Sequence, residues 1–328
     1  MHARNIWTLV LAAGEGSRLR SLTACSSGAS IPKQFCSLYA GPSLLHEALQ
    51  RAATVSSSNR ICTVVAEQHR RWWQSMLYEL PSANVIVQPM NRGTGTGILL
   101  ALLHITEREP DAWVVVLPSD HHVREEAVLS SSMRQAVARL VEHPREIVLL
   151  GLTPERTDPE LGYILPRCGA SEVLEVEQFV EKPPMSIAHE LIEHGGLWNA
   201  FIFAGTAQAL LALFLRRAPQ LVADLRAAVR SDRATGDTSG CPVPGSAIGN
   251  LYRRLPDIDF SRDVLTGEER HLRVIPVPQC GWSDLGTPSR IGEALRRTRS
   301  PDTSVAVAAP VGYISLAARF EALRAQNH

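Results

Sequence analysis

Short apolar runs alternate with longer segments of helical apolar spacing through the first half of the chain. The runs predict buried strands at Ile6–Ala12, Ile61–Ala66, Val85–Gln88, Ala112–Leu117 and Ile147–Leu152. The segments between them predict helices at Pro42–Val55, Gln68–Leu80, Thr94–Glu107 and Ala127–Glu142. This alternation predicts an α/β fold, with a Rossmann-like, mixed but mostly parallel sheet and helices on both faces.

The pattern changes after about residue 160, where shorter strands mix with helices. Strands are predicted at Tyr163–Pro166, Val173–Val180, Asn199–Phe203 and Leu272–Val277, helices at 205–217 and 219–230, and an exposed loop at 231–247. We therefore expect one domain over 1–300, with a nucleotide-binding half at about 1–155 and a substrate-binding half at 156–300. A linker and a C-terminal helix, Tyr313–Ala325, follow in 301–328, and this helix would either cover the core or mediate self-association as a homodimer.

Composition narrows the class of protein. Acidic and basic residues balance at 33 each, which argues against a nucleic-acid-binding protein. No apolar stretch has the roughly 18 residues of a membrane span, and the N-terminal apolar run reaches glycines and charges too early for a signal peptide. The six cysteines form no CxxC pair and no zinc spacing. We expect a cytoplasmic protein that binds small molecules.

Lysine is nearly absent from this chain. Of 33 basic residues only Lys33 and Lys182 are lysines, and the rest are arginines. A compact ammonium differs from a guanidinium fork in how it binds phosphate. The two lysines are therefore candidates for phosphate-binding positions, with chance retention on the surface as the alternative.

A glycine loop follows the first strand. Gly14 and Gly16 would let backbone N–H groups approach a phosphate, and Arg18 would place a guanidinium beside them. The P-loop Gly-Lys-Ser/Thr is absent, and Leu19 occupies the third glycine position of a dinucleotide fingerprint. The second departure disfavours a dehydrogenase.

Two aspartates follow predicted strands. Asp120 ends Leu117-Pro-Ser-Asp after a buried run, and Asp284 lies in the loop Gly-Trp-Ser-Asp-Leu-Gly. Because ligands bind at the carboxyl ends of strands in open α/β sheets, both are candidates to hold Mg²⁺ between themselves and a triphosphate. Helix capping is the alternative for Asp120. His121 and His122 lack a third nitrogen or sulfur ligand at suitable spacing, which disfavours a transition metal.

Two further segments carry polar side chains suited to substrate binding. The turn at residues 88–94 offers Gln88, Gly93 and Thr94 to a nucleobase edge, with helix capping as the alternative. Glu181 could accept hydrogen bonds from sugar hydroxyls, and Lys182 could bind a sugar phosphate, with a surface ion pair as the alternative.

Taken in order, these motifs resemble those of mannose-1-phosphate guanylyltransferases in the sugar nucleotidyltransferase superfamily. The matching stretches are A-G-E-G-S-R-L (13–19), P-K-Q-F (32–35), P-S-D-H-H (118–122), V-E-K-P (180–183), W-N-A (198–200) and G-W-S-D-L-G (281–286). Two departures stand out: the link Arg20–Ile31 is longer than in the family, and Ala200-Phe201 replaces the usual Ser-Gly. We expect no C-terminal isomerase domain of the kind carried by longer bifunctional members.

The resemblance implies a role for each matching residue. Ala12, Ala13, Gly14, Gly16 and Ser17 would hold the triphosphate, Arg18 and Lys33 would neutralise it, and Asp120 and Asp284 would bind catalytic Mg²⁺. Gln88, Gly93 and Thr94 would contact the nucleobase, Gly162, Glu181 and Asn199 the sugar, Lys182 its phosphate, and Trp282 would form a wall.

The resemblance also implies a reaction. GTP and mannose 1-phosphate would give GDP-mannose and pyrophosphate by in-line attack on the α-phosphate. The alternatives are the same chemistry with dTTP or UTP and glucose 1-phosphate, or a catalytically silent regulatory protein that binds nucleotide sugars.

Overall fold

The computed structural model describes residues 5–24, 30–39, 41–234, 245–298 and 315–326. In these residues nine strands form one sheet in the order β3-β2-β1-β4-β8-β5-β9-β7-β6. The strands are β1 (Ile6–Ala12), β2 (Ile61–Ala66), β3 (Val85–Gln88), β4 (Trp113–Pro118), β5 (Ile147–Leu152), β6 (Tyr163–Pro166), β7 (Leu174–Val180), β8 (Leu197–Thr206) and β9 (Leu272–Val277). The predicted mixed α/β fold is confirmed.

Strand direction brings several strand ends to one edge of the sheet. Strands β1 to β4 pair in parallel, and β5 pairs in parallel with β9. Strand β8 runs antiparallel to both β4 and β5, so β5 and β9 share the direction of β1 and β4. The carboxyl ends of β1, β4 and β9, and the start of β8, therefore lie at the same edge.

Helices cover both faces of the sheet. They are α1 (Arg20–Thr23), α2 (Leu44–Ala53), α3 (Arg70–Trp73), α4 (Gly93–Arg108), α5 (Glu126–Glu142), α6 (Met185–Glu193), α7 (Ala207–Arg217), α8 (Pro219–Ala234), α9 (Ala247–Tyr252), α10 (Pro288–Thr298) and α11 (Leu316–Gln326). The interior strand β1 shows why. Its consecutive residues Leu9 and Val10 are both fully buried, yet they belong to different hydrophobic clusters. Since successive side chains point to opposite faces, continuous apolar runs give strands that are buried on both sides.

Two predictions of local structure are wrong. The helix predicted at Gln68–Leu80 is a 3₁₀ turn and the short α3, followed by turns in which Met76 and Leu77 both donate to the carbonyl of Trp73. The first four residues of the predicted loop 231–247 instead belong to the last turn of α8. The buried Asp232 in this turn accepts hydrogen bonds from the first two backbone N–H groups of α9, which ties the two helices together. Residues 235–244 of that loop, and the linker 301–312, lie outside the described residues.

The C-terminal helix α11 packs against the body of the domain. Leu316 is fully buried, and its backbone N–H donates to the carbonyl of Ser37. The ring of Phe320 lies directly over Gly292 of α10. The helix therefore covers the core next to the segment that carries Lys33. None of the helices in the described residues is both long and apolar enough to cross a bilayer.

Candidate active site

A cavity of about 370 Å³ opens at the edge where β1, β4 and β9 end. Twelve of the residues predicted from the sequence line it: Ala13, Gly14, Gln88, Gly93, Thr94, Asp120, Gly162, Glu181, Lys182, Asn199, Trp282 and Asp284. The other five, Ala12, Gly16, Ser17, Arg18 and Lys33, belong to segments directly behind or beside it. The fold thus brings motifs from the whole length of the chain to one place.

The glycine loop forms one side of the cavity, and hydrogen bonds from Gln34 hold its backbone in place. The side-chain amide of Gln34 donates to the carbonyls of Ala12 and Gly14, at 3.0 and 2.9 Å. Sequence reasoning missed Gln34, although it stands beside Lys33 in the P-K-Q-F motif. Fixing two loop carbonyls in this way pre-organises the loop for ligand binding.

The two aspartate loops are joined directly to each other. His122 and Ser283 exchange both backbone hydrogen bonds, each 2.9 Å long. The ammonium of Lys33, which is buried, lies 3.0 Å from the Asp120 carboxylate and 2.5 Å from the Asp284 carbonyl oxygen. The ammonium of Lys33 therefore holds the two aspartate loops together at one edge of the sheet, as the sequence predicts. Lys33 itself is not among the residues that line the cavity.

Charges near Asp120 determine the ionisation of this loop. Burial alone would raise the pKa of the Asp120 carboxyl, but the charge and hydrogen bond of Lys33, with smaller contributions from His121 and a backbone hydrogen bond, hold the pKa below its ordinary value. Burial lowers the pKa of His121 to about 4, despite the opposing effect of Asp120. His121 is thus neutral near pH 7, and because its Nδ1 accepts a hydrogen bond from the Trp282 indole at 3.2 Å, its proton lies on Nε2.

Asp284 is oriented by an arginine that sequence analysis missed. The buried Arg290 of α10 forms ion pairs of 2.6 Å with Asp284 and 2.5 Å with Asp158. These contacts raise the pKa of Arg290 even though burial opposes the charge. The guanidinium fork therefore locks the Asp284 carboxylate against α10.

The opposite wall combines β7 and β8 because both pair with Tyr163 of β6. Glu181 and Lys182 follow β7, and Asn199 donates its backbone N–H to the carbonyl of Gly162 at 2.8 Å. A Cβ on Gly162 would lie 2.6 Å from the Glu181 carboxylate, so a larger residue there would displace that carboxylate. Burial raises the pKa of Glu181, while Lys182, 3.4 Å away, opposes that shift.

The turn before α4 is held by a segment that sequence analysis did not assign to the site. Gly93 has a φ of 81°, and a Cβ there would overlap the carbonyl of Ile258. The hydroxyl of Thr94 accepts the backbone N–H of Phe260 at 2.9 Å. These contacts bring Asp259 into the cavity wall.

Left-handed backbone conformations cluster at the site. Lys182, Phe201 and Leu285 have φ values of 48°, 55° and 47°, and they are the described residues other than glycine with positive φ. Such a conformation costs about 1–2 kcal/mol in a residue with a Cβ. Phe201 stands where the family that the sequence resembles has glycine, and it is one of the residues that line the cavity.

The cavity lining is strongly acidic. Among the described lining residues, the carboxylates Asp120, Glu160, Glu181, Asp259 and Asp284 outnumber the single ammonium of Lys182. No group of three or more His, Cys, Asp or Glu side chains in the described residues is arranged to hold a metal ion. Mg²⁺ is commonly held by one or two carboxylates plus substrate phosphates, and Asp120 and Asp284 are carboxylates of that kind that line the cavity.

A family model described as nucleotidyl transferase matches residues 7–300. The chain belongs to this family. This nucleotidyl transferase is 30% identical over 298 residues to the xanthan biosynthesis protein XanB of Xanthomonas campestris pv. campestris, covering 88% of this chain and 59% of that protein. It is 27% identical over 292 residues to a mannose-1-phosphate guanylyltransferase of Escherichia coli, covering 87% and 59%. The chain thus spans about three fifths of the length of these relatives.

A solved structure shows the same fold. A Thermus thermophilus protein described as a mannose-1-phosphate geranyltransferase superposes with a TM-score of 0.75 at 25% identity, covering 90% of this nucleotidyl transferase and 80% of that chain. The resemblance inferred from the motifs is confirmed at the level of the family.

Proposed function

We propose that this chain is a sugar-1-phosphate nucleotidyltransferase that joins GTP and mannose 1-phosphate into GDP-mannose and releases pyrophosphate. The observation that carries the proposal is the contact of Lys33 with both aspartate segments at the wall of one cavity. Names of relatives such as the mannose-1-phosphate guanylyltransferase of Escherichia coli support this pair of substrates.

The acidic lining supports a requirement for Mg²⁺. Four of the five lining carboxylates already pair with a lysine or an arginine, so these cations have little charge to spare for two highly anionic substrates, and a further cation between carboxylate and phosphate would offset the remaining repulsion. Asp120 and Asp284 would hold Mg²⁺ together with phosphate oxygens, and the ion would supply charge neutralisation at the α-phosphate.

The protein's own groups would position the reactants. In the proposed step an oxygen of the sugar phosphate forms a bond to the α-phosphorus, and the bond to the bridging oxygen of pyrophosphate breaks. Lys182, whose side chain is half exposed at the cavity wall, would hold the sugar phosphate, and Glu181 and Asn199 would orient the sugar. Catalysis would then consist of positioning and charge stabilisation without a covalent enzyme intermediate.

One feature favours a second pair of substrates. Phe201 lines the cavity at a position where glycine is usual in the family that the sequence resembles. Glucose 1-phosphate with UTP or dTTP is therefore the second candidate. A cytoplasmic location and a homodimer stay predictions from the sequence.

A substrate panel tests the proposal. GTP, UTP and dTTP would each be combined with mannose 1-phosphate and glucose 1-phosphate in the presence of Mg²⁺, and pyrophosphate release would be measured. We expect the highest kcat/KM for GTP with mannose 1-phosphate. Binding of nucleotides without pyrophosphate release from any pair would contradict the proposal and favour the silent regulatory protein.

A further inference from the structure

Glu160 lies between two arginines at the mouth of the cavity. One of its carboxylate oxygens is 3.1 Å from the guanidinium of Arg18, in the glycine loop, and 3.4 Å from that of Arg290, in α10. Glu160 itself lines the cavity, and its backbone N–H donates to the Asp158 carboxylate at 3.1 Å. A single carboxylate therefore connects the glycine loop to the opposite half of the domain.

The two arginines depend on Glu160 to different degrees. Arg290 is buried and already has shorter ion pairs to Asp158 and Asp284. Arg18 is half exposed, and within the described residues Glu160 is the acidic group that the structure places against it. Loss of Glu160 would therefore leave Arg290 paired and release Arg18.

The position of this pair conflicts with the binding of a triphosphate. Glu160 lines the cavity together with Gly14, so a polyphosphate lying on the glycine loop would approach its carboxylate and the Arg18 guanidinium paired with it. Phosphate groups and a carboxylate compete for the same guanidinium because both accept its paired N–H donors. An exposed ion pair is weak enough to be exchanged for such a ligand.

We propose that Glu160 is a positioning residue that pairs with Arg18 beside the glycine loop and must release it when a triphosphate binds. This proposal rests on the function proposed above. Glu160 thereby affects the affinity for the nucleotide without contacting the reacting atoms. Once Arg18 is released, the carboxylate of Glu160 keeps its ion pair with Arg290.

The test is calorimetric binding of GTP with Mg²⁺ to the full chain, in the absence of sugar phosphate so that no turnover occurs. Glu160→Gln should lower the Kd about 2- to 5-fold at low ionic strength, the range set by an exposed ion pair, and the gain should shrink as salt is added. The gain should vanish in the Arg18→Ala background. In steady state KM for GTP should fall while kcat does not rise.

Glu175→Gln is the matched control, because Glu175 is an exposed carboxylate paired with Arg167 away from the cavity. It should leave the Kd unchanged. An equal or weaker affinity of Glu160→Gln, or the same gain with and without Arg18, would overturn the role of Glu160. If the wild-type chain binds GTP and forms product, that result leaves the proposed function intact. Failure of the wild type to bind any triphosphate would overturn both.

Discussion

Replacing Lys33 by Met tests the contact that joins the two aspartate segments. Methionine has a similar length and no charge, so Lys33→Met removes the 3.0 Å ion pair to Asp120 and the hydrogen bond to the Asp284 carbonyl. The lysine is 6% exposed, whereas the side chain of Asp120 is 36% exposed. The substitution therefore leaves a partly screened carboxylate without its partner.

The expected loss of stability follows from that exposure. Breaking a fully buried ion pair costs about 3–5 kcal/mol, and a hydrogen bond to a charged group contributes about 1.5–3 kcal/mol. Because water reaches Asp120, we expect the free energy of unfolding to fall by about 2–3 kcal/mol. Urea denaturation followed by circular dichroism measures this quantity.

The loss should depend on pH in a defined direction. Lys33 holds the folded-state pKa of Asp120 below its ordinary value of about 3.9, so the stabilisation is complete above that value and disappears as pH falls through the lower folded-state pKa. Without Lys33 only the weaker effects of His121 and of a backbone hydrogen bond oppose that of burial, and the pKa of Asp120 should rise. The stability difference between wild type and variant should therefore be largest near pH 7 and shrink on acidification.

Activity provides the second readout for the same variant. Nucleotide-sugar formation should fall at least tenfold, and the acid limb of the rate profile should move to higher pH. Arg71→Met is the control, since Arg71 is an exposed cation that stacks on Trp72, remote from the cavity lining. Equal stability of Lys33→Met and wild type at pH 7, or an unshifted acid limb, would refute the reasoning.

Three further substitutions probe the walls of the cavity. Gly162→Ala should raise KM for the sugar phosphate several-fold and leave the affinity for GTP unchanged, because the added Cβ would lie 2.6 Å from the Glu181 carboxylate and displace it. Separate titrations with the sugar phosphate and with GTP measure the two effects. Phe201→Gly should change the ratio of kcat/KM between mannose 1-phosphate and glucose 1-phosphate, whereas a purely structural role would leave that ratio constant. Gly93→Ala should lower the free energy of unfolding by about 2–4 kcal/mol, measured in urea, since the added Cβ overlaps the Ile258 carbonyl and the φ of 81° is unfavourable for alanine.

Strands were the most predictable part of the fold. The bounds of β1, β2, β3 and β5 agree with those predicted, because a parallel strand buried on both faces leaves an uninterrupted apolar run. The helix α10 was not predicted. Its sequence is rich in arginine and polar residues, and tertiary contacts such as those of the fully buried Ile291 and the ion pairs of Arg290 hold it in place.

The site residues that belong to sequence motifs were predicted. The ion pairs between side chains that are distant in sequence were not. Asp120 and Asp284 line one cavity because both follow strands that end at one edge, which the order of strands and motifs indicates. The contacts of Glu160 with Arg18 and Arg290 join residues more than a hundred positions apart in sequence, and apolar periodicity carries no information about such polar partners. The positive φ of Phe201 likewise arises from the fold, since the local sequence carries no glycine there.

A double-mutant cycle tests most directly whether Asp120 and Asp284 bind one shared cation where β4 and β9 end. It compares Asp120→Asn, Asp284→Asn and the double variant, with kcat/KM for nucleotide-sugar formation as the readout. Each single substitution should lower kcat/KM by about 100-fold or more, and the double variant should be little worse than either single one. Losses that multiply in the double variant, or near-normal rates in either single variant, would contradict the account.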